Sequence, residues 1–260
     1  MAQVINTNIF ALNAQRNLNK TTASLQTAME RLSSGLRINR AKDDAAGLAI
    51  SDKMTAQIRG LNQAIRNVND GVGYVQTADG ALEEVTNSLQ RMRELAVQAS
   101  TGTVSSTGGA SSDKGKLNAE FQALEASIND ILADTKFNGV AVFGASVTIQ
   151  SGTESGNTIA VDVSSPSLSG ITADISTASG AQGALATLDA DLNAVADVRA
   201  SAGASQSRLE STARNLANVV ENVSAARSQI LDADFAMETA NLTRAQILQQ
   251  SGAAILAQAN

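Results

Sequence analysis

Residues 54–96 read MTAQIRGLNQAIRNVNDGVGYVQTADGALEEVTNSLQRMRELA, and every seventh position is apolar: Met54, Leu61, Val68, Val75, Leu82, Leu89 and Ala96. A second ladder stands in the C-terminal half at Leu188, Val195, Ala202, Leu209, Leu216, Val223, Ile230 and Met237. A strict seven-residue apolar repeat on a helix makes a seam that has to meet another helix. In isolation Asn69-Asp70-Gly71 is a turn signal. The ladder keeps its phase through it, however, and a turn would have reset the phase. The stretch therefore predicts one helix from about Asp44 to Ser100, roughly 85 Å long at 1.5 Å per residue. Gly60, Gly71, Gly73 and Gly80 each cost about 1 kcal/mol against Ala within it. They are expected to mark close approach of a neighbouring backbone.

Working outward, residues 5–34 predict a helix with Ile5, Ile9 and Leu12 on one face. Leu18, Leu25, Met29 and Leu32 continue that face after a phase shift. Ser33-Ser34-Gly35 is a breaker with Gly35 in the left-handed conformation. A linker over 35–43 follows, with Asp43 and Asp44 as N-cap candidates for the long helix. Beyond it, residues 101–113 read as a polar loop. Leu117, Phe121, Leu124, Ile128, Ile131 and Thr135 then mark a shorter helix. The period next changes to two. Phe137-Asn138-Gly139-Val140 opens a β region, and Val147–Ile149 and Thr158–Val163 predict a hairpin joined through Gly152 to Asn157. Residues 164–183 are rich in Ser, Thr, Gly and Ala and define no element. The last long helix is expected from near Ala184 to past Met237, and a polar stretch, Glu238 to Arg244, leads to the end. The fold class is mainly α, a long antiparallel helical coiled-coil rod with a small β-hairpin region. Its two terminal helices lie side by side at one end.

Composition narrows the function. Aromatic residues make up only 2% of the 260, Trp is absent and there is one proline, so thin aliphatic helix pairs are favoured over a thick core. With no Cys and no His, disulfides, thiolate metal sites and His acid–base catalysis are excluded. There is also no Gly-rich phosphate loop after a strand, and no pair of acids in a predicted cleft. No enzyme activity and no cofactor are expected. A net charge of −6 argues against nucleic acid or an anionic membrane as partner. The N-terminus lacks a basic region followed by a continuous apolar stretch, so it does not read as a cleavable secretory signal. A protein with this start that works outside the cell leaves by a route that does not cut it. From Ala2 to Gln15 and from Ala245 to Asn260 there is no Asp, Glu, Lys or Arg. Two uncharged apolar ends suit a subunit that buries both against copies of itself.

Several blocks carry a resemblance. Leu32-Ser33-Ser34-Gly35-Leu36-Arg37-Ile38-Asn39 with Ala41-Lys42-Asp43-Asp44-Ala45-Ala46-Gly47, Asn69-Asp70-Gly71, and Leu89-Gln90-Arg91-Met92-Arg93-Glu94-Leu95-Ala96-Val97-Gln98 resemble the N-terminal half of bacterial flagellins. Ala225-Ala226-Arg227-Ser228, Asp232-Ala233-Asp234-Phe235 and Arg244-Ala245-Gln246-Ile247-Leu248-Gln249-Gln250 resemble the C-terminal half. The resemblance covers roughly 1–145 and 184–260, in the right order. It implies a filament subunit of the bacterial flagellum in a minimal form without outer variable domains. Residues 1–40 and 236–260 would form the inner tube, and 41–183 and 184–235 the layer around it. A hook–filament junction protein shares such termini and is the alternative; copy number separates the two.

The resemblance also implies partners and surfaces. Ile5, Ile9, Leu12, Ile247, Leu248, Ile255 and Leu256 are the expected polymer interface. Gln90, Arg91, Leu95 and Glu120 match positions where the host Toll-like receptor 5 reads flagellin, and a solvated helix face or a subunit contact is the plainer reading of them. The implied partners are the chain itself, an export chaperone and export apparatus, and the filament cap and hook-associated proteins. The implied location is extracellular, on the flagellum. Short helices with few i,i+4 ion pairs are marginal in water, so the terminal helices are expected to order on assembly. Head-to-tail contacts that do not close generate an open helix. The Ser/Thr clusters at 101–112 and 164–179 read as flexible linkers.

Overall fold

The ladder of 54–96 lies on one continuous helix in the computed structural model, which describes residues 8–105, 109 and 112–259. In chain order the elements are α1 (Ile9–Ser34), α2 (Ala45–Ser100), α3 (Asp113–Asp134), β1 (Lys136–Phe137), β2 (Val140–Ala141), β3 (Ala145–Gln150), β4 (Thr158–Val163), α4 (Ala178–Leu231) and α5 (Phe235–Ala259). They fall into two units, Gly60–Asn218 and the combination of Met1–Arg59 with Val219–Asn260.

In the unit Gly60–Asn218 the ladders are core. Val68, Val75, Leu82, Leu89 and Ala96 on α2 and Leu188, Val195, Ala202 and Leu209 on α4 are buried. Burying a Leu or Val side chain contributes about 2 kcal/mol, so these seams are the main driving force of the unit. The helices run antiparallel: Leu209 lies beside Gly71, Arg199 pairs with Asp79 at 2.8 Å, and Arg93 pairs with Asp189 at 2.7 Å. Phe121 and Ile128 of α3 add to the same core.

Asn138 and Gly139, at φ 49° and 82°, make the tight turn between β1 and β2. Positive φ at both central residues is what an Asn-Gly hairpin turn supplies at least cost. The predicted hairpin is β3–β4, with Ala145 opposite Val163 and Gln150 opposite Thr158. On β4, Ile159, Val161 and Val163 point inward while Thr158, Ala160 and Asp162 are exposed. Tyr74 of α2 ties the β region down. Its hydroxyl donates to the Val142 carbonyl at 2.9 Å, and its ring meets Phe137 edge-on at 6.1 Å.

Three expectations need correction here. The glycines of α2 do not admit a backbone. Gly60 faces the Thr153 side chain and Gly71 the Ile149 side chain, while nothing lies within 4 Å of a Cβ on Gly80. The segment 164–177 is no loose linker. The Asp191 carboxylate, 1% exposed, accepts from the N–H of Ser169 (2.9 Å) and of Gly170 (2.7 Å), and Asn118 accepts from Ile175 N–H. Ile171 and Ile175 are buried beneath it. Helix α4 also begins at Ala178 rather than near Ala184.

In the other unit, Asn8 caps α1, its side chain accepting from Ala11 N–H at 3.1 Å. Gly35 ends α1 at φ 72°, its N–H returning to the Arg31 carbonyl. Asp44 caps α2 by accepting from Gly47 N–H at 2.9 Å, while Asp43 accepts from Asn39 and Arg40 and holds the linker instead. The expected passage of the last long helix beyond Met237 is overturned. Helix α4 stops at Leu231, because Arg37 N–H donates to the Leu231 carbonyl (2.7 Å) and Ala233 N–H to the Gly35 carbonyl (2.9 Å). Those bonds pull residues 231–233 out of helical geometry. Asp234 then caps α5 through Ala236 and Met237 N–H. Met237, the last rung of the second ladder, is accordingly on α5 and 64% exposed. Helices α1 and α5 pack antiparallel, Arg31 meeting Glu238 at 2.9 Å and Leu18 lying against Gly252.

Candidate functional site: the terminal helices and the Arg91 face

Helices α1 and α5 pack with little buried between them. Among their described residues only Ala28, Glu238 and Ala245 are buried, while Leu18, Leu25, Leu32 and Leu256 are half-buried. The large side chains face outward: Ile9 is 66% exposed and Ile255 59%, with Leu12, Ile247 and Leu248 also exposed. Ile5 lies outside the described residues. Ile247–Leu248 and Ile255–Leu256 are adjacent pairs, so α5 presents large aliphatic side chains on more than one face and cannot bury them all against α1.

Two grooves run along this helix pair. One, of about 610 Å³, is lined by Lys20, Ser24, Thr27, Arg31, Glu238, Asn241, Arg244 and Leu248 among others. The second, of about 330 Å³, brings Leu248 and Ile255 together with Asn13, Leu18 and Gly252. The structure thus gathers Leu248 and Ile255 at one seam, places Ile247 beside Leu248 in a further hollow of about 600 Å³ on α5, and leaves Ile9 outside all three. Arg31 donates from Nη1 to Glu238, and its buried Nε has no partner among the described residues. Sequence reasoning does not single out the charged groove residues, because Lys20 and Arg244 come together only when α1 and α5 pair. The signal was there: Arg244 borders the C-terminal uncharged stretch, and Lys20 follows Arg16 one turn beyond the N-terminal one.

On the unit Gly60–Asn218, Arg91 joins α2 to α3. Its Nη2 donates to Glu120 Oε1 at 2.8 Å and its Nη1 to Glu94 Oε2 at 3.0 Å. The bonds to Glu120, then Glu94, hold the guanidinium above its ordinary value. Gln90, Arg91 and Glu120 are exposed, but Leu95 faces the core at 1% exposure. Leu95 supports this face from beneath and offers no surface of its own. Among the described residues no group of three acidic side chains is placed to hold a metal, and no helix is long and apolar enough to cross a membrane.

Two family models match the chain, the bacterial flagellin N-terminal helical region over residues 5–148 and the bacterial flagellin C-terminal helical region over 185–260. The chain belongs to the bacterial flagellin family. It is 48% identical to a flagellin of Halalkalibacterium halodurans over 265 positions, covering 99% of this chain and 96% of that one. Near-equal length makes this chain a short form of the family. It is 39% identical to the flagellar filament 33 kDa core protein of Treponema phagedenis, covering 99% of this chain and 96% of the relative. A crystal structure of Bacillus cereus flagellin matches with a TM-score of 0.51 and 30% identity, over 58% of this flagellin-family chain and 88% of the other.

Proposed function

We propose that this chain is a structural subunit of a bacterial flagellar filament, polymerising head-to-tail, with no enzymatic role. Besides family membership, one observation carries the reading: the two paired terminal helices leave Ile9, Leu12, Ile247, Leu248 and Ile255 exposed to solvent. Exposing a row of Ile and Leu costs the monomer about 2 kcal/mol per side chain relative to burial, and a polymer of identical subunits recovers it. Because so little is buried between α1 and α5, their helical order draws on neighbours in the assembly. In the filament, 1–40 and 236–260 form the inner tube, and 41–183 with 184–235 the layer around it.

The location that follows is the flagellum, outside the cell. An export chaperone with its export apparatus, a filament cap and hook-associated proteins are the further partners. The exposed Gln90, Arg91 and Glu120 suit a subunit contact, and Toll-like receptor 5 would read the same face on released monomer. Electron microscopy of purified protein after seeding, beside circular dichroism of the monomer, tests the reading. Long helical filaments with helix content rising on assembly are expected. A protein that stays monomeric under seeding, with fully protected terminal amides, would rule it out.

A further inference from the structure

The charges of this chain are divided unequally between its two units. Met1–Arg59 with Val219–Asn260 holds 10 basic and 8 acidic residues, whereas Gly60–Asn218 holds 9 basic and 17 acidic. On the α1–α5 pair the imbalance is sharper. Its only acids are Glu30 and Glu238, and both are occupied, by Arg40 at 2.8 Å and Arg31 at 2.9 Å. Lys20 and Arg244 share the 610 Å³ groove and have no carboxylate partner among the described residues. Arg244 reaches only Asn241, at 3.5 Å, and Arg31 keeps an unpartnered buried Nε beside the same groove. The groove is cationic: its one carboxylate, Glu238, is taken by Arg31, which leaves Lys20 and Arg244 without an acid.

The other unit shows the opposite defect. Helix α3 has Asp113, Lys114 and Lys116 in its first turn and Asp134 in its last, with Asp130 one turn before Asp134 and no basic residue in the last turn. A helix C-terminus is already the negative end of the dipole, and like charges four residues apart repel. Asp134 breaks the first rule and the Asp130–Asp134 pair the second; both are exposed and have no ion pair among the described residues. Places where a sequence breaks local rules without compensation inside the fold are where function is expected.

We propose that the α1–α5 groove of one subunit receives the Asp130–Asp134 end of α3 from a second copy, through Lys20 and Arg244. The proposal rests on the filament reading above. It commits the otherwise uniform apolar packing of the ends to one register, because opposite charges select partners and suppress wrong ones.

The test is a charge swap measured as critical concentration for seeded polymerisation. Lys20→Glu/Arg244→Glu and Asp130→Lys/Asp134→Lys should each raise it about tenfold, and the four-site combination should return to within about threefold of wild type. Lys20→Gln/Arg244→Gln, which adds no repulsion, should give a smaller rise. Monomer circular dichroism checks that each variant folds as wild type does. Reversals that polymerise like wild type, or a combination no better than the worse double variant, would overturn the contact while leaving the filament reading intact. A wild-type chain that never polymerises would overturn both.

Discussion

Tyr74 is the only tyrosine in a chain without tryptophan, so its titration can be followed alone. Burial, and then the charge of Asp162, push its phenol above the ordinary value of 10.0. The neutral form is also the one that donates to the Val142 carbonyl. A raised folded-state value means that this contribution is complete below pH 10 and is lost as pH rises through the folded value. Tyr74→Phe should therefore lower the unfolding free energy of Gly60–Asn218 by about 1 kcal/mol at neutral pH. It should also remove the part of the alkaline slope above pH 10 that wild type shows; denaturant melts at pH 7 and pH 11 check both. Phenolate absorbance gives an independent reading, because the folded protein should need a higher pH than its unfolded chain to ionise.

Among the elements, the least obvious is the segment between β4 and α4. Its composition reads as linker, yet one buried carboxylate holds it: Asp191 bonds two successive backbone N–H groups. A Cβ on Gly170 would sit 2.7 Å from the Leu188 nitrogen, so only glycine lets the segment approach the helix this closely. Asp191→Ala should cost about 3 kcal/mol, since it removes charge-assisted bonds and leaves the Gly170 N–H buried without an acceptor. Asp191→Asn, which keeps one acceptor, should cost roughly half as much by the same reasoning. Proteolytic cleavage within 164–177 should rise in the same order. The break between α4 and α5 has a similar origin, since Gly35 and Arg37 supply the backbone partners that residues 231–233 need once they leave the helix.

For the whole molecule, the contrast between the units matters most. One buries its heptad seams, and the other leaves its aliphatic side chains on the surface of two paired helices. Ile255→Asp should leave the melting of Gly60–Asn218 unchanged and prevent filament formation, because a charge would enter a surface that assembly desolvates. Sedimentation after seeding, alongside a circular dichroism melt, checks it. A variant that still pellets as filament would place Ile255 outside the interface. Most of the helical architecture was legible in advance, since apolar periodicity reports burial on one face over many turns. The α2 bounds and the β3–β4 hairpin followed from the heptad ladder and the change of period. The strap under Asp191 and the end of α4 at Leu231 were not legible, because each depends on residues far away in sequence. Of the aliphatic residues the sequence singles out at the ends, Ile9, Leu12, Ile247, Leu248 and Ile255 are exposed and Leu256 is half-buried; Leu95, expected on a helix face, is buried by the α2 seam.

By itself the sequence determined that helices would pair along seven-residue seams, that no His or Cys chemistry was open to this chain, and that its ends would carry no charge. Those properties are local and additive, so they survive without knowledge of the partner. Only the tertiary structure decided which charges stand unneutralised. Whether Lys20 or Asp134 has a counter-ion depends on which side chains folding brings within a few ångströms, and Coulomb interactions between exposed groups fade beyond that range.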